Sequence, residues 1–137
     1  MERKTFDEIY MKLALDLSSR STCSRLKVGC VITTEDHQAV LSIGYNGNYK
    51  GGPNACDSNE PGNCGCLHAE DNAIIKCYEG KSTKKIVYCS HLPCIMCAKR
   101  IVNLGGVTAV KHCKEYRKND SIKVFCKSGI YIERITL

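Results

Sequence analysis

Apolar residues near the start of the chain recur at the spacing of an amphipathic helix. Thr5 and Glu8 form a capping-box pattern, so we expect the helix to begin after Thr5. It should end in the polar segment 18–24. Its buried face should consist of Phe6, Ile9, Tyr10, Leu13 and Leu17.

Two later segments also have helical spacing, and a third, short helix is predicted within residues 119–126. One begins after Pro93. The other begins at Leu67 and should end near Gly80, because glycine is favoured just after a helix. Its buried stripe should consist of Leu67, Ile74, Ile75 and Tyr78.

Short β-branched runs between these helices predict five strands, at 28–32, 39–43, 86–89, 107–110 and 130–132. The complete order, α-β-β-α-β-α-β-α-β, favours an α/β fold in which helices cover both faces of a mixed five-stranded sheet. A chain of 137 residues fits a single domain, residues 1–137. The irregular segment from Tyr45 to Cys66 is rich in glycine and proline, and a loop of that length is usually functional or held in place.

Composition narrows the class of protein. The chain has no run of about 18 apolar residues, so we expect no membrane span, and the first residues lack the pattern of a signal peptide. The eleven cysteines are an odd number, which favours metal ligands and buried thiols over disulfides and predicts an intracellular, cytoplasmic protein. The net charge of +6 is compatible with a solvated basic surface or with an anionic ligand.

Three residues have the identity and spacing of zinc ligands. Cys94 and Cys97 are three positions apart at the start of a predicted helix, where the exposed N–H groups favour thiolates. His68 lies at the start of another helix. Two thiolates and one imidazole leave a fourth position of tetrahedral zinc open for water.

Glu70 follows His68 by two residues and need not bind the metal. Its carboxylate could take a proton from a water molecule that zinc activates, and could return it to a ring nitrogen and to departing ammonia. The combination H-x-E with P-C-x-x-C is the signature of zinc-dependent deaminases.

Further segments resemble motifs of the deoxycytidylate (dCMP) deaminases. Ser21–Gly29 is similar to their S-T-C-x-R-x-K-V-G segment, Gly44–Gly47 to their G-Y-N-G turn, and His68–Ile74 to H-A-E-x-N-A-I. Ser90–Cys94 resembles T-H-S-P-C, and Glu115–Arg117 falls where the family often has a Tyr-Arg pair. The similarity covers nearly the whole chain in the family's order.

The resemblance implies a cytidine-deaminase-like, three-layer α/β/α fold and the hydrolysis of dCMP to dUMP and ammonia, which feeds dTMP synthesis. It also implies a homo-oligomer, often a hexamer, regulated by dCTP and dTTP, where Mg²⁺ could accompany the regulatory nucleotide. Carried over by position, Asn46 would bind the sugar, and the Ala69 backbone N–H with Glu70 would bind the pyrimidine edge. Asn46 could instead serve only as a turn former.

The substrate phosphate requires cations, and the candidates are Arg25, Lys27 and Arg117. Tyr116 could add a hydroxyl group. Each cation could equally form an ordinary surface ion pair. His91, beside the cysteine motif, could line the pocket or only pack against it.

The loop departs from the family's pattern. The usual G-Y-N-G-x-P does not occur, because Asn48 and Tyr49 follow the turn and the next proline is Pro53. The segment up to His68 is also shorter than in many relatives. Allosteric nucleotides are commonly attributed to this region, so regulation by dCTP is in doubt here.

A second zinc ion is a further hypothesis. Some relatives have a ligand of an extra structural zinc at the position of Cys23. A four-cysteine site would explain how a glycine-rich loop is held in place, and reduced, unliganded thiols are the alternative. The candidate ligands are Cys23, Cys56, Cys64 and Cys66.

Two other function classes remain open. A deaminase of polynucleotides would need aromatic stacking platforms and a basic track, but the chain has no Trp and only two Phe, so no nucleic-acid partner is expected. A non-enzymatic zinc module would leave the pairing of His68 with Glu70 unexplained.

Overall fold

The described part of the chain, residues 2–137 of this computed structural model, contains four helices and five strands in the expected order. The helices are α1 (Phe6–Ser18), α2 (Ala69–Ile75), α3 (Ile95–Leu104) and α4 (Ser121–Lys127). The strands are β1 (Gly29–Thr34), β2 (Val40–Tyr45), β3 (Lys85–His91), β4 (Val107–Lys114) and β5 (Tyr131–Arg134). No helix within residues 2–137 combines the length and the apolar character needed to cross a membrane.

The five strands form one mixed sheet in the order β2-β1-β3-β4-β5. Strand β1 pairs antiparallel with β2 and β3, whereas β3, β4 and β5 run parallel. Helices α3 and α4 make the two connections between parallel strands, as parallel neighbours require. The predicted hairpin and the predicted mixed sheet are both confirmed.

Two apolar cores lie on opposite faces of the sheet, because alternate residues of each strand point in opposite directions. On one face, α1 packs through Met11 and Ala14 against Val31 and Tyr88. On the other face, α2, α3 and α4 pack against the sheet through Ala69, Ala73, Ala98, Ile101 and Phe125. The three-layer α/β/α arrangement is therefore confirmed, with one helix above the sheet and three below.

The predicted buried stripes of the first two helices were partly wrong. Phe6 and Ile9 are 43% and 45% exposed, and the core-facing residues of α1 include Met11 and Ala14 instead. Tyr78 is 94% exposed because α2 ends at Ile75, well before Gly80. In α2 the buried residues include the small Ala69 and Ala73, whereas the large Ile75 is 65% exposed.

The close approach of α2 to the sheet depends on Gly44 of β2. A Cβ atom at this position would lie 2.3 Å from the Ala69 carbonyl oxygen and 2.6 Å from the Ala73 nitrogen. Both are backbone atoms of α2, so they cannot move aside as a flexible side chain would. The glycine thus lets the first turn of α2 rest directly on β2.

Lys85, at the start of β3, is fully buried although its side chain is charged. Its ammonium donates to the carbonyl oxygens of Gly80 at 2.6 Å, Thr83 at 3.0 Å and Gly105 at 2.9 Å. All three ammonium protons therefore have acceptors. The lysine joins the turn before β3 to the end of α3.

We expect Gly44→Ala to lower the free energy of unfolding by about 3 kcal/mol, at the upper end of the usual cost of overpacking, because only backbone could yield. Chemical denaturation measures this change. The control is Gly80→Ala, where an added Cβ meets no atom within 4 Å; it should change stability by less than about 0.5 kcal/mol. Equal stabilities for the two variants would contradict the proposed contact.

Candidate active site

Two helix starts bring the predicted zinc ligands together. His68 is the N-cap of α2 and Cys94 the N-cap of α3, both with extended backbone, and Cys97 lies in the first turn of α3. His68 Nδ1 is 3.2 Å from Cys97 Sγ and 3.6 Å from Cys94 Sγ. The three ligand atoms all lie within 4.8 Å of one another.

This donor set fits zinc in chemistry and in spacing. Sulfur and nitrogen ligands of a tetrahedral zinc ion are separated by about 3.5–3.8 Å, given the usual bond lengths. A hydrogen bond from Cys97 lowers the pKa of Cys94 to about 3, whereas the pKa of Cys97 is raised because it supplies that proton. Cys94 therefore gives up its proton more readily than Cys97, and a bound metal would displace the protons of both.

Glu70, the second residue of α2, lies beside these donors. Its side chain is buried, with the residue only 4% exposed, and this burial raises its pKa to about 7. A carboxyl group with that pKa can both accept and release a proton near neutral pH.

A cavity of about 530 Å³ opens over the donors and Glu70. Most of the predicted substrate-binding residues line it: Arg25, Asn46, Ala69, His91, Tyr116 and Arg117. Lys27 does not line it. Its ammonium donates to the Ser21 carbonyl oxygen at 2.9 Å, so this predicted phosphate ligand is directed elsewhere.

Asn46 shapes the wall of the cavity. It is 8% exposed, its Oδ1 accepts from the Val28 N–H at 2.9 Å, and its Nδ2 donates to the Leu26 carbonyl at 2.6 Å. The side chain therefore holds the segment that leads into β1. Asn46 can therefore both stabilise the local backbone and line the cavity.

The two arginines of the cavity both contact the long loop. Arg25 donates to the Asn59 carbonyl oxygen, and the Arg117 guanidinium lies close to Gly62, where an added Cβ would be 2.6 Å from its Nη2. Arg117 also donates to the Tyr116 hydroxyl at 2.6 Å. Both guanidinium groups are exposed and can reach an anion in the cavity.

His91 is half-buried at the end of β3. Burial lowers its pKa, and the nearby Lys114 lowers it further, which favours the neutral imidazole. Its Nδ1 is 3.0 Å from the Ser90 hydroxyl, which in turn accepts from the Gly29 N–H. The residue both packs and lines the cavity.

Two sets of contacts hold the long loop: a backbone bridge between its ends and a cluster of four cysteines. Gly47 and Leu67 form an isolated antiparallel bridge just before His68. Sulfur atoms of the four candidate cysteines lie within 4.8 Å of one another. The Cys23–Cys56 and Cys56–Cys66 separations are both 3.6 Å, and the Cys23–Cys64 separation is 3.8 Å.

Sequence reasoning missed several residues around the site. Leu26, Val28 and Glu115 line the cavity. For Leu26 and Val28, no local sequence pattern indicated a position in the cavity wall. Asp71 accepts a hydrogen bond from the His68 N–H at 3.0 Å. An acidic residue three positions after an N-cap is a capping signal, so this contact could have been found.

Residues 4–114 match the family model of the cytidine and deoxycytidylate deaminase zinc-binding region. The chain belongs to this family. The matched residues include the His68–Glu70 segment and both cysteines after Pro93. The resemblance inferred from the motifs is thereby confirmed.

Relatives in this deaminase family match along the whole chain. Identity is 34% to the deoxycytidylate deaminase of Saccharomyces cerevisiae, over 98% of this chain but 46% of that protein. It is 32% to ComE operon protein 2 of Bacillus subtilis, over 100% of this chain and 75% of that protein. The chain thus spans about half the length of the yeast relative.

A solved structure from this deaminase family confirms the expected cytidine-deaminase-like fold. It is the crystal structure of dCMP deaminase from the cyanophage S-TIM5 in complex with dCMP and dUMP. It matches with a TM-score of 0.84 and 34% sequence identity, and covers 98% of this chain and 100% of that one.

Proposed function

We propose that the protein hydrolyses dCMP to dUMP and ammonia. The observation that carries this proposal is that Glu70, His68 and Cys94 line one cavity, and that the donor atom of Cys97 lies within 4.8 Å of those of His68 and Cys94. Membership of the deaminase family supports the reaction. Similarity over 98% of the chain to an enzyme solved with dCMP and dUMP supports the substrate.

In this proposal, His68, Cys94 and Cys97 hold one catalytic zinc ion. Their nitrogen and sulfur donors are those that zinc prefers, and three protein ligands leave one coordination position open. Bound there, zinc supplies a Lewis acid that activates water for attack on C4 of the cytosine ring.

Glu70 moves the protons of the reaction. Its carboxylate takes one proton from the attacking water and delivers it to ring N3 as the new C–O bond forms at C4. It then takes the proton of the new hydroxyl group and delivers it to the amino group, which leaves as ammonia while C4 becomes a carbonyl. One water molecule is consumed, and Glu70 ends in its starting state.

The cavity walls hold the nucleotide. Ala69 is the first residue of α2, so its N–H has no partner within the helix and can bind the pyrimidine edge. Asn46 keeps a second lone pair and a second N–H for the sugar hydroxyl. Arg25 and Arg117 bind the phosphate, and the hydroxyl of Tyr116 and the ring of His91 complete the walls.

We also propose a second, structural zinc ion bound by four cysteines of the loop region. Their sulfur atoms have the mutual spacing of a tetrahedral site. Their pKa values diverge: a hydrogen bond from Ser24 lowers that of Cys56 to about 6, while burial raises that of Cys64. The ligands are Cys23, Cys56, Cys64 and Cys66.

Other expectations remain predictions. These are a hexameric assembly, a cytoplasmic location, and Mg²⁺ with a regulatory nucleotide, although the departures in the loop count against regulation by dCTP. They depend on the resemblance and the composition.

We expect Glu70→Gln to lose turnover of dCMP by a factor of about 10² to 10⁴ while zinc stays bound, because the amide cannot transfer protons. Ammonia release and elemental analysis measure the two properties. The control is Glu115→Gln, another carboxyl of the cavity wall, which pairs with Arg134 at 3.3 Å and should retain activity. Near-normal activity of Glu70→Gln would exclude the proposed proton transfer.

We expect Arg117→Gln to raise the KM for dCMP about tenfold or more, because a charge-assisted hydrogen bond to the phosphate is lost. Turnover of deoxycytidine, which has no phosphate, should not change. Lys27→Gln serves as the matched control and should leave both KM values unchanged, since its ammonium lies at the Ser21 carbonyl. If Lys27→Gln raised the KM instead, the assignment of the phosphate site would be wrong.

We expect the wild-type protein to bind about two zinc ions per chain and Cys64→Ser to bind about one, because a lost thiolate opens the four-cysteine site. Elemental analysis after gel filtration measures the ratio. Cys126→Ser, at an exposed position of α4, should keep both ions. A wild-type protein with only one zinc ion would contradict the second site.

A further inference from the structure

We propose that Asp71 and Arg100 form a positioning pair that fixes the distance between His68 and the two cysteines. The inference rests on the proposed zinc site and adds residues that neither bind the metal nor touch the substrate. Asp71 belongs to α2 and Arg100 to α3. Helix α2 begins after His68, and helix α3 carries the two cysteines at its start.

One carboxylate makes both contacts. Asp71 Oδ2 accepts a hydrogen bond from the His68 backbone N–H at 3.0 Å. The other oxygen, Oδ1, lies 3.2 Å from Arg100 Nε. The Asp71 side chain is only 15% exposed, whereas that of Arg100 is 46% exposed, so the arginine spans from solvent to a mostly buried anion.

The pair follows the ligands by one helical turn on each side. Asp71 is three residues after His68, and Arg100 is three residues after Cys97. Positions i and i+3 lie on the same face of a helix. The ion pair therefore joins α2 and α3 directly behind the donors that each helix supplies.

Small side chains form part of the contact between α2 and α3. Ala73 of α2 and Ala98 of α3 are both fully buried in the same core cluster. Apolar packing alone does not specify direction, because the hydrophobic effect is non-directional. A polar contact with defined geometry restricts how the two helices can shift.

The pair also balances charge. Asp71 places a mostly buried negative charge beside His68. The guanidinium of Arg100 offsets it. Hydrogen-bonding partners of metal ligands commonly change metal affinity or activity by about 10-fold to 100-fold when they are removed.

The test uses the zinc-loaded, full-length chain and measures zinc release to the chelator 4-(2-pyridylazo)resorcinol. The phase that belongs to the catalytic site is the one absent in His68→Ala. We expect Asp71→Ala to speed this phase about tenfold and Arg100→Gln to speed it by less. The double variant should release zinc no faster than Asp71→Ala, because Arg100 acts through Asp71.

Two conservative variants separate positioning from general stability. Asp71→Asn keeps an acceptor for the His68 N–H and Arg100→Lys keeps the charge, so both should restore part of the slow release. Lys111→Gln is the control, since it breaks an ion pair with Asp7 at 2.8 Å on the opposite face of the sheet. It should lower the unfolding temperature without speeding zinc release.

Kinetics with dCMP give an independent readout. Neither Asp71 nor Arg100 lines the large cavity, so kcat should fall while KM stays within about twofold. If the wild-type protein does not turn over dCMP, the proposed function fails but the zinc-release measurement still tests the pair. If Asp71→Ala and Arg100→Gln release zinc at the wild-type rate, the positioning role is wrong.

Discussion

The direct contact between α2 and strand β2 at Gly44 is the constraint on which the site depends. With no side chain between them, the Ala69 carbonyl lies against the strand backbone, and the first turn of the helix sinks into the core. Glu70 is buried as a result, which places a carboxyl group with a pKa of about 7 next to three metal donors. A wider gap between helix and sheet would lift His68 away from the cysteines of α3.

The same constraint explains what sequence patterns could and could not predict. The order of elements and the hairpin depend on local periodicity and appear where expected, and the candidate metal ligands His68, Cys94 and Cys97 lie close together. The buried faces of α1 and α2 do not follow from periodicity, because the pattern weighs large apolar residues such as Ile9 and Ile75. In this fold two helices approach the sheet closely where Ala14 lies opposite Gly29 and Ala73 lies opposite Gly44.

Polar side chains were harder to place, because backbone carbonyls from distant segments decide where they point. Lys27 was expected near a phosphate but donates to the Ser21 carbonyl, and Lys85 is buried among three carbonyls from two turns. The oxygen and the nitrogen of the Asn46 side-chain amide both form hydrogen bonds with the backbone of residues 26–28. A sequence shows which side chains can donate a hydrogen bond. It does not show which backbone carbonyl groups will lie near them after folding.

The bridge between Gly47 and Leu67 separates the length of the long loop from the position of helix α2. Because the loop is closed at its base immediately before His68, residues between 48 and 66 can change in number without altering the path of the chain into α2. The entropic cost of a longer closed loop rises only slowly with its length. A change within this loop would therefore reach the cavity wall, which residues 61–66 line, before it reached the helix that begins after His68.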